Sequence, residues 1–221
     1  MSTAAPARAF FPLPPLTLAP DPPGAHPPPR VRPRVVIYGD SYTGSPLGGS
    51  REGWPALVAA ALDVETVNQA VSGSGYVDLG GRSTFPYAAT VYPQPDAAVA
   101  VVMGSQNDYL QSPEAVRLAA TVTYGAIRAR ARSARLLVVG PYWWDAEPSA
   151  AALATRDAVR DAAAAAGAVF LDPIAGRWLT SRPGLFAVPD GRHPSAAGHR
   201  AIAEYLRLAL SALLPAGRIA S

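Results

Sequence analysis

The 221-residue sequence contains no cysteine and no lysine. The absence of cysteine excludes disulfide bonds, thiol catalysis and thiolate zinc sites, but leaves the compartment open because secreted proteins can also lack cysteine. Without lysine, all 19 basic side chains are arginines, and these are scattered along the chain rather than clustered. A formal charge of +3 from scattered arginines does not predict binding to nucleic acid.

Long apolar runs are also missing. No stretch approaches the roughly 20 apolar residues that a transmembrane helix needs, so we expect no membrane span. Hydrophobic residues make up 49% of the chain and charged residues only 16%. This composition and length are sufficient for one well-filled core and not obviously for two.

Proline is abundant and is concentrated in the first part of the chain. Residues 1–33 hold eleven of the 24 prolines, a density that blocks helices and sheet ladders and favours an extended backbone. We therefore predict a Pro-rich arm over 1–33, one domain over 34–215 and a tail over 216–221. The apolar stretch that follows Arg8 is short and broken by prolines, so it is not a convincing signal peptide.

From residue 34 onward, short apolar segments alternate with helical patterns. Strands are predicted at 34–38, 64–68, 96–104, 135–140 and 168–172. Helices are predicted at 54–62, 113–132, 148–167 and about 195–213. This alternation predicts an α/β fold in which a five-stranded parallel sheet is covered by helices on both faces.

Four loops carry the residues of chemical interest. They read GDS at 39–41, NQAVSG at 68–73, ND at 107–108 and DGRH at 190–193. Each has an ordinary structural explanation when it is taken alone, as a turn or as the approach to a helix. Ligands of open α/β sheets bind at the carboxyl ends of the strands, so we expect these loops to meet there.

Taken together, the four loops offer the parts of an acyl-transfer site. The hydroxyl of Ser41 is a poor nucleophile until a neighbouring base takes its proton. His193 can be that base if a carboxylate holds its imidazole in the right tautomer, and Asp190 has the spacing to do so from the same loop. A backbone N–H at a glycine and an asparagine side-chain amide, both of which these loops contain, are donors of the kind that stabilise a developing oxyanion.

With these blocks in this order, the sequence resembles the SGNH (GDSL-type) family of serine esterases and lipases over residues 34–214. The resemblance implies that Ser41 is the nucleophile, His193 the general base and Asp190 the residue that orients it. It implies an oxyanion hole made by the backbone N–H groups of Ser41 and Gly73 and the side chain of Asn107. It also implies a flavodoxin-like three-layer α/β/α sandwich.

One position departs from the family pattern. The third block usually reads Gly-x-Asn-Asp, but Ser105 stands at the glycine position and Gly104 lies one residue earlier. Either Ser105 is tolerated there or the loop is reshaped locally. The exact position of Asn107 is therefore open at the level of sequence.

The activity implied by the resemblance is hydrolysis of carboxylic esters, such as acetyl or short acyl esters of sugars, lipids or small alcohols, with no cofactor and no metal. The alternative is a binding or assembly module, for example a virion or cell-surface component, that uses the Pro-rich arm to dock a protein partner or a second copy. The sequence leaves the location open, with the cytoplasm favoured over a virion.

Several nearby residues receive structural interpretations. His26 and His199 lack a carboxylate at the matching spacing, so we expect both to be structural or solvent-facing. Asp40 and Asp108 are expected to hydrogen-bond loop backbone rather than take part in chemistry. Aromatic residues in loops more often pack on the domain than form a binding wall, so we expect the aromatic residues at 142–144 to pack. The loops at 76–95 and 141–148 are expected to shape the pocket.

Overall fold

The computed structural model describes residues 31–44, 53–78, 80, 83–104, 106–145, 147–186 and 191–215. The predictions for the Pro-rich arm, except its last three residues, and for the tail at 216–221 fall outside the described residues. The same holds for Ser105 and Asp190.

A single parallel sheet of five strands forms the centre of the domain. The strands are β1 (Arg34–Gly39), β2 (Glu65–Asn68), β3 (Val99–Met103), β4 (Arg135–Val139) and β5 (Val169–Leu171). Their order is β2-β1-β3-β4-β5, and every pairing is parallel. After β1, the chain adds β2 on one side of it and then β3, β4 and β5 on the other side. The strand order therefore reverses between β1 and β3, and sheets of this kind open a binding crevice at such a switch point. Gly39 aligns with Met103, so these two strands end at the same level.

Six α-helices surround the sheet in the described part of the chain. They are α1 (Ser41–Gly44), α2 (Trp54–Leu62), α3 (Phe85–Val91), α4 (Pro113–Arg130), α5 (Ala150–Ala165) and α6 (Ala196–Leu213). The hydroxyls of Ser112, Ser149 and Ser195 accept the N-terminal hydrogen bonds of α4, α5 and α6. The five strands and four helices expected from the sequence are therefore confirmed within a few residues, whereas α3 was expected to be loop.

The side chains of the strands alternate between two apolar layers. Val35 and Ile37 pack with α2 and α6, while Val36 and Tyr38 pack with α3, α4 and α5 on the opposite face. Because a strand points successive side chains to opposite faces, an all-apolar strand must be covered on both sides. The three-layer α/β/α sandwich is confirmed.

Two helical glycines differ in the space around them, which gives a paired test of the packing. A Cβ on Gly198 would lie 2.1 Å from the carbonyl oxygen of Leu185, whereas a Cβ on Gly125 would meet no atom within 4 Å. We expect Gly198→Ala to lower the free energy of unfolding by about 2 kcal/mol through overpacking. Gly125→Ala should raise it by about 0.5–1 kcal/mol through helix propensity. Urea denaturation measures both, and equal stability of the two variants would contradict the packing described here.

Candidate active site

Ser41 follows directly from the central strand β1. The chain turns at once into α1, where the backbone N–H groups of Thr43 and Gly44 donate to the carbonyl of Asp40 at 3.0 and 2.8 Å. Gly39 leaves no room for a side chain, since a Cβ there would lie 2.5 Å from Oγ1 of Thr43. This tight turn delivers the Ser41 side chain, which is 5% exposed, to the carboxyl end of the sheet.

His193 reaches the same place from the other end of the chain. Its Nε2 lies 2.9 Å from Oγ of Ser41, across a separation of 152 residues. The loop that carries it is held by an antiparallel bridge between Phe186 and Pro194 and leads into α6. The two side chains that the sequence paired are therefore within hydrogen-bonding distance.

Gly73 and Asn107 line the same cleft as Ser41 and His193. Gly73 has a φ of 79°, in the left-handed region that favours glycine. The Nδ2 of Asn107 donates to the carbonyl oxygen of Ser74 at 2.8 Å, which ties this amide to the loop of Gly73. A side-chain amide has two N–H donors, so this bond orients the group and leaves a second donor for chemistry.

Asp108 organises the loop that contains Gly73. Its carboxylate accepts from the backbone N–H groups of Tyr76, Val77 and Asp78 at 2.8–2.9 Å. Burial raises the pKa of Asp108, and these three hydrogen bonds act in the opposite direction. The expectation that Asp108 binds loop backbone is confirmed.

Asp40 is fully buried beside the nucleophile. Its Oδ1 accepts from the backbone N–H of Tyr42 at 2.8 Å, and its Oδ2 accepts from Nε2 of Gln106 at 2.7 Å. Burial raises the pKa of Asp40 to about 7, against the opposing effect of both hydrogen bonds. The expected bond to loop backbone is present, but the side-chain bond to Gln106 was not foreseen.

The cleft above these residues encloses about 420 Å³. Its walls include Trp144. The ring of Trp144 stacks on that of Trp143, with centroids 4.4 Å apart. The guanidinium carbon of Arg192 lies 5.0 Å from the centroid of the Trp144 ring. Tyr142 and Trp143 are buried. The expectation of packing is therefore confirmed for these two, while Trp144 also borders the cleft. In the sequence, Trp144 stands out only as an aromatic residue of the loop at 141–148, and Arg192 only as a neighbour of His193. Neither position alone predicts a contact with the cleft.

His199 is buried in α6 and is not among the residues that line the cleft. Among the described residues, neither of its ring nitrogens has a hydrogen-bond partner, and burial lowers its pKa. His26 lies outside the described residues.

The buried imidazole of His199 predicts sensitivity to acid. The unfolded chain binds a proton near the ordinary histidine pKa of about 6.5, whereas the folded chain binds it only at lower pH, so stability falls as the pH drops through that region. We expect the free energy of unfolding of His199→Leu to fall less than that of the parent between pH 7.5 and 5.5, measured by urea unfolding at each pH. Identical losses in the two proteins would contradict a neutral, buried His199.

No group of three or more histidine or acidic side chains in the described residues has the geometry of a metal site. In the same part of the chain, no helix combines the length and apolar character that crossing a membrane requires.

Comparison with known proteins agrees with the motifs. The model of the GDSL-like lipase/acylhydrolase family matches residues 37–201. A GDSL lipase of Mycobacterium tuberculosis is 37% identical over 186 residues, which cover 79% of this chain and 80% of that lipase. The chain belongs to the GDSL-like lipase/acylhydrolase (SGNH) family. It is a hydrolase of the lipase and esterase type.

Solved structures share its fold. A protein from Lactobacillus plantarum matches with a TM-score of 0.67 at 22% identity, over 83% of this chain and 98% of the other. A family two carbohydrate esterase from Clostridium thermocellum matches with a TM-score of 0.67 at 18% identity, over 83% of this chain and 65% of the esterase. At these identities the likeness shows the fold alone.

Proposed function

We propose that this protein hydrolyses small carboxylic esters through an acyl-enzyme on Ser41, with His193 as general base. The observation that carries the proposal is the 2.9 Å approach of Nε2 of His193 to Oγ of Ser41 at the floor of a cleft. A base within hydrogen-bonding reach is what a serine hydroxyl needs to become a nucleophile.

In the first half-reaction, Oγ of Ser41 attacks the carbonyl carbon of the ester while its proton passes to Nε2 of His193. Negative charge develops on the carbonyl oxygen and is stabilised by the backbone N–H groups of Ser41 and Gly73 and the amide of Asn107. The tetrahedral intermediate collapses, the bond to the leaving oxygen breaks, and His193 returns the proton to that oxygen. The products are an alcohol and acyl-Ser41.

In the second half-reaction, water replaces the alcohol. His193 takes a proton from the water as its oxygen attacks the acyl carbon, and the same oxyanion donors act again. Collapse breaks the bond to Oγ, Ser41 regains its proton from His193, and a carboxylic acid leaves. Asp190 is proposed to accept from Nδ1 of His193 and so hold Nε2 ready to take the proton.

The dimensions of the cleft support small substrates. A volume of about 420 Å³ is near the lower end of the range for small-molecule sites. The apolar walls include Leu110 and Trp144, which suit a short acyl chain or a compact alcohol. Acetyl or short acyl esters of sugars, lipids or small alcohols are therefore the proposed substrate class.

Two measurements test this proposal. A fluorophosphonate probe should attach to Ser41, located by mass spectrometry of the labelled peptide. With p-nitrophenyl esters of two, four, eight and twelve carbons, kcat/KM should be highest for the two shortest chains. Labelling at another residue would remove Ser41 as nucleophile, and a maximum at twelve carbons would contradict the short-acyl class.

The oxyanion donor gives a further prediction. Asn107→Ala should lower kcat by about 10²–10³-fold, the usual loss for one such donor. The loss appears in kcat because the hydrogen bond from the Asn107 amide to the oxyanion forms only as the transition state is reached. Asn68→Ala is the matched control, since Asn68 is exposed at the end of β2 and its amide oxygen accepts from the backbone N–H of Ala70 at 3.0 Å. Steady-state kinetics on p-nitrophenyl acetate measure both, and equal losses in the two variants would argue against a role for Asn107.

The Pro-rich arm at 1–33 is proposed to serve docking or assembly rather than catalysis. Deletion of 1–33 should then leave ester hydrolysis unchanged while it alters oligomeric state or partner binding, measured by light scattering of the full chain and the shortened one. If the deletion changes neither property, the proposed role of the arm is wrong.

A further inference from the structure

Two buried side chains from different loops meet beside the cleft, and one of them, that of Gln106, belongs to a residue of the cleft lining. Nε2 of Gln106 donates to Oδ2 of Asp40 at 2.7 Å, across 66 residues of sequence. The side chains belong to residues that are 6% and 0% exposed. Asp40 immediately precedes Ser41, and Gln106 immediately precedes Asn107.

The surroundings of this pair are closely fitted. A Cβ on Gly104 would lie 2.5 Å from Oδ2 of Asp40, so only glycine leaves the space that the carboxylate occupies. The other oxygen of Asp40 accepts from the backbone N–H of Tyr42, which belongs to the turn of the nucleophile. Asp40 therefore joins the side chain of Gln106 to the turn of the nucleophile through two short hydrogen bonds.

The other anchors of the Asn107 loop lead elsewhere. The amide of Asn107 binds the carbonyl of Ser74, and the carboxylate of Asp108 binds the backbone at 76–78. Both contacts fix Asn107 relative to the loop of Gly73. Gln106, Asn107 and Asp108 form a short 3-10 helix. Within the described residues, the side-chain hydrogen bond from Gln106 is the one that links this helix to the turn that carries Ser41.

We propose that Gln106 is a positioning residue of the oxyanion hole, which acts through Asp40 to hold the amide of Asn107 at a fixed place relative to Ser41. The inference rests on the proposed function. The Gly73 loop has its own link to β1, since the backbone N–H of Val71 donates to the carbonyl of Gly39 at 3.0 Å. Without the Gln106–Asp40 bond, the 3-10 helix that carries Asn107 would lose its side-chain link to the turn of the nucleophile. Misplacement of a catalytic group by about 1 Å can cost up to 10²-fold in rate.

The central test is a double-mutant cycle. Gln106→Leu removes the donor at similar volume and should lower kcat on p-nitrophenyl acetate by about 10–100-fold with little change in KM, since the lost stabilisation belongs to the transition state. In the Asn107→Ala background, the same change should have no further effect on kcat, because Gln106 acts through Asn107. Gln94→Leu, in the loop before β3, is the control and should keep the parent's kcat.

A purely structural role makes a different prediction. If Gln106 only satisfies a buried carboxylate, Gln106→Leu lowers the melting temperature but leaves kcat of the folded enzyme unchanged in an assay well below that temperature. Losses of kcat that multiply with those of Asn107→Ala would also overturn the proposal.

An exchange of the two groups guards against failure of the leucine variant to fold. Gln106→Glu alone places two carboxyl groups in contact and should reduce kcat more than tenfold. Combined with Asp40→Asn it restores an amide–carboxylate bond of reversed direction, and kcat should recover to within about fivefold of the parent. No recovery in a folded double variant would count against the pair.

A parent that neither hydrolyses esters nor reacts with the fluorophosphonate would overturn the proposed function itself, whereas an active parent with an unaffected Gln106→Leu variant overturns the positioning role alone.

Discussion

Replacing Ser41 with alanine is expected to lower kcat for ester hydrolysis by about 10⁴-fold or more, with the fold intact. The change removes the oxygen that would carry the acyl group, so no rearrangement of neighbouring donors can supply the covalent step. Since the hydroxyl lies 2.9 Å from Nε2 of His193, the loss to the native packing is one hydrogen bond. Steady-state kinetics give the rate, and circular dichroism with a thermal melt reports the fold.

A second serine provides the matched control for this variant. Ser149 caps α5 by accepting from the backbone N–H of Ala152 at 3.1 Å. Ser149→Ala should lower stability by about 1 kcal/mol and leave kcat unchanged, the reverse of the pattern expected for Ser41→Ala. If Ser41→Ala turns over p-nitrophenyl acetate at the parent rate, the nucleophile lies elsewhere.

Loss of the base should have an effect of the same order. His193→Ala removes the imidazole that lies 2.9 Å from Oγ of Ser41, and with it the group proposed to take the proton of the attacking hydroxyl and return it to the leaving oxygen. We therefore expect kcat to fall by about 10⁴-fold. Residues that act as one unit are not additive, and the double variant Ser41→Ala/His193→Ala should therefore be no slower than either single variant.

The comparison of the three proteins decides whether Ser41 and His193 share one step. The same ester and enzyme concentration should be used for all, with the uncatalysed rate subtracted. If the double variant is slower by the product of the two single effects, the two residues contribute independently and the proposed proton transfer between them is wrong. His199→Leu serves as the histidine control and should keep the parent's kcat, because His199 lies outside the cleft.

The strands and long helices could be predicted because their signals are local. An all-apolar segment such as Val99–Met103 is typical of a buried parallel strand, and the spacing of Val116, Ala120 and Ile127 marks one face of a helix. The seven residues of α3 carry no such signal. That helix has a local cap, since the side chain of Thr84 accepts from the backbone N–H of Tyr87. It also depends on the packing of Phe85 against Tyr76, with centroids 4.9 Å apart, which arises from tertiary structure.

The candidate site shows the same division. Ser41 and His193 could be paired from sequence because their residue types and order match a family pattern, and the geometry brings them together. The Gln106–Asp40 bond could not, since it depends on the alignment of Gly39 with Met103 at the ends of two neighbouring strands. A partner 66 residues away is set by sheet register, which no local pattern encodes.

The distance along the chain between the nucleophile and its base has a kinetic consequence. Ser41 leaves the central strand, while His193 comes 152 residues later, just before the last long helix. Contacts between such distant segments close the largest loops and form slowly. After dilution from urea, turnover should therefore return no earlier than the burial of Trp54, Trp143 and Trp178 seen together by fluorescence. The ester assay then reports complete refolding rather than initial collapse.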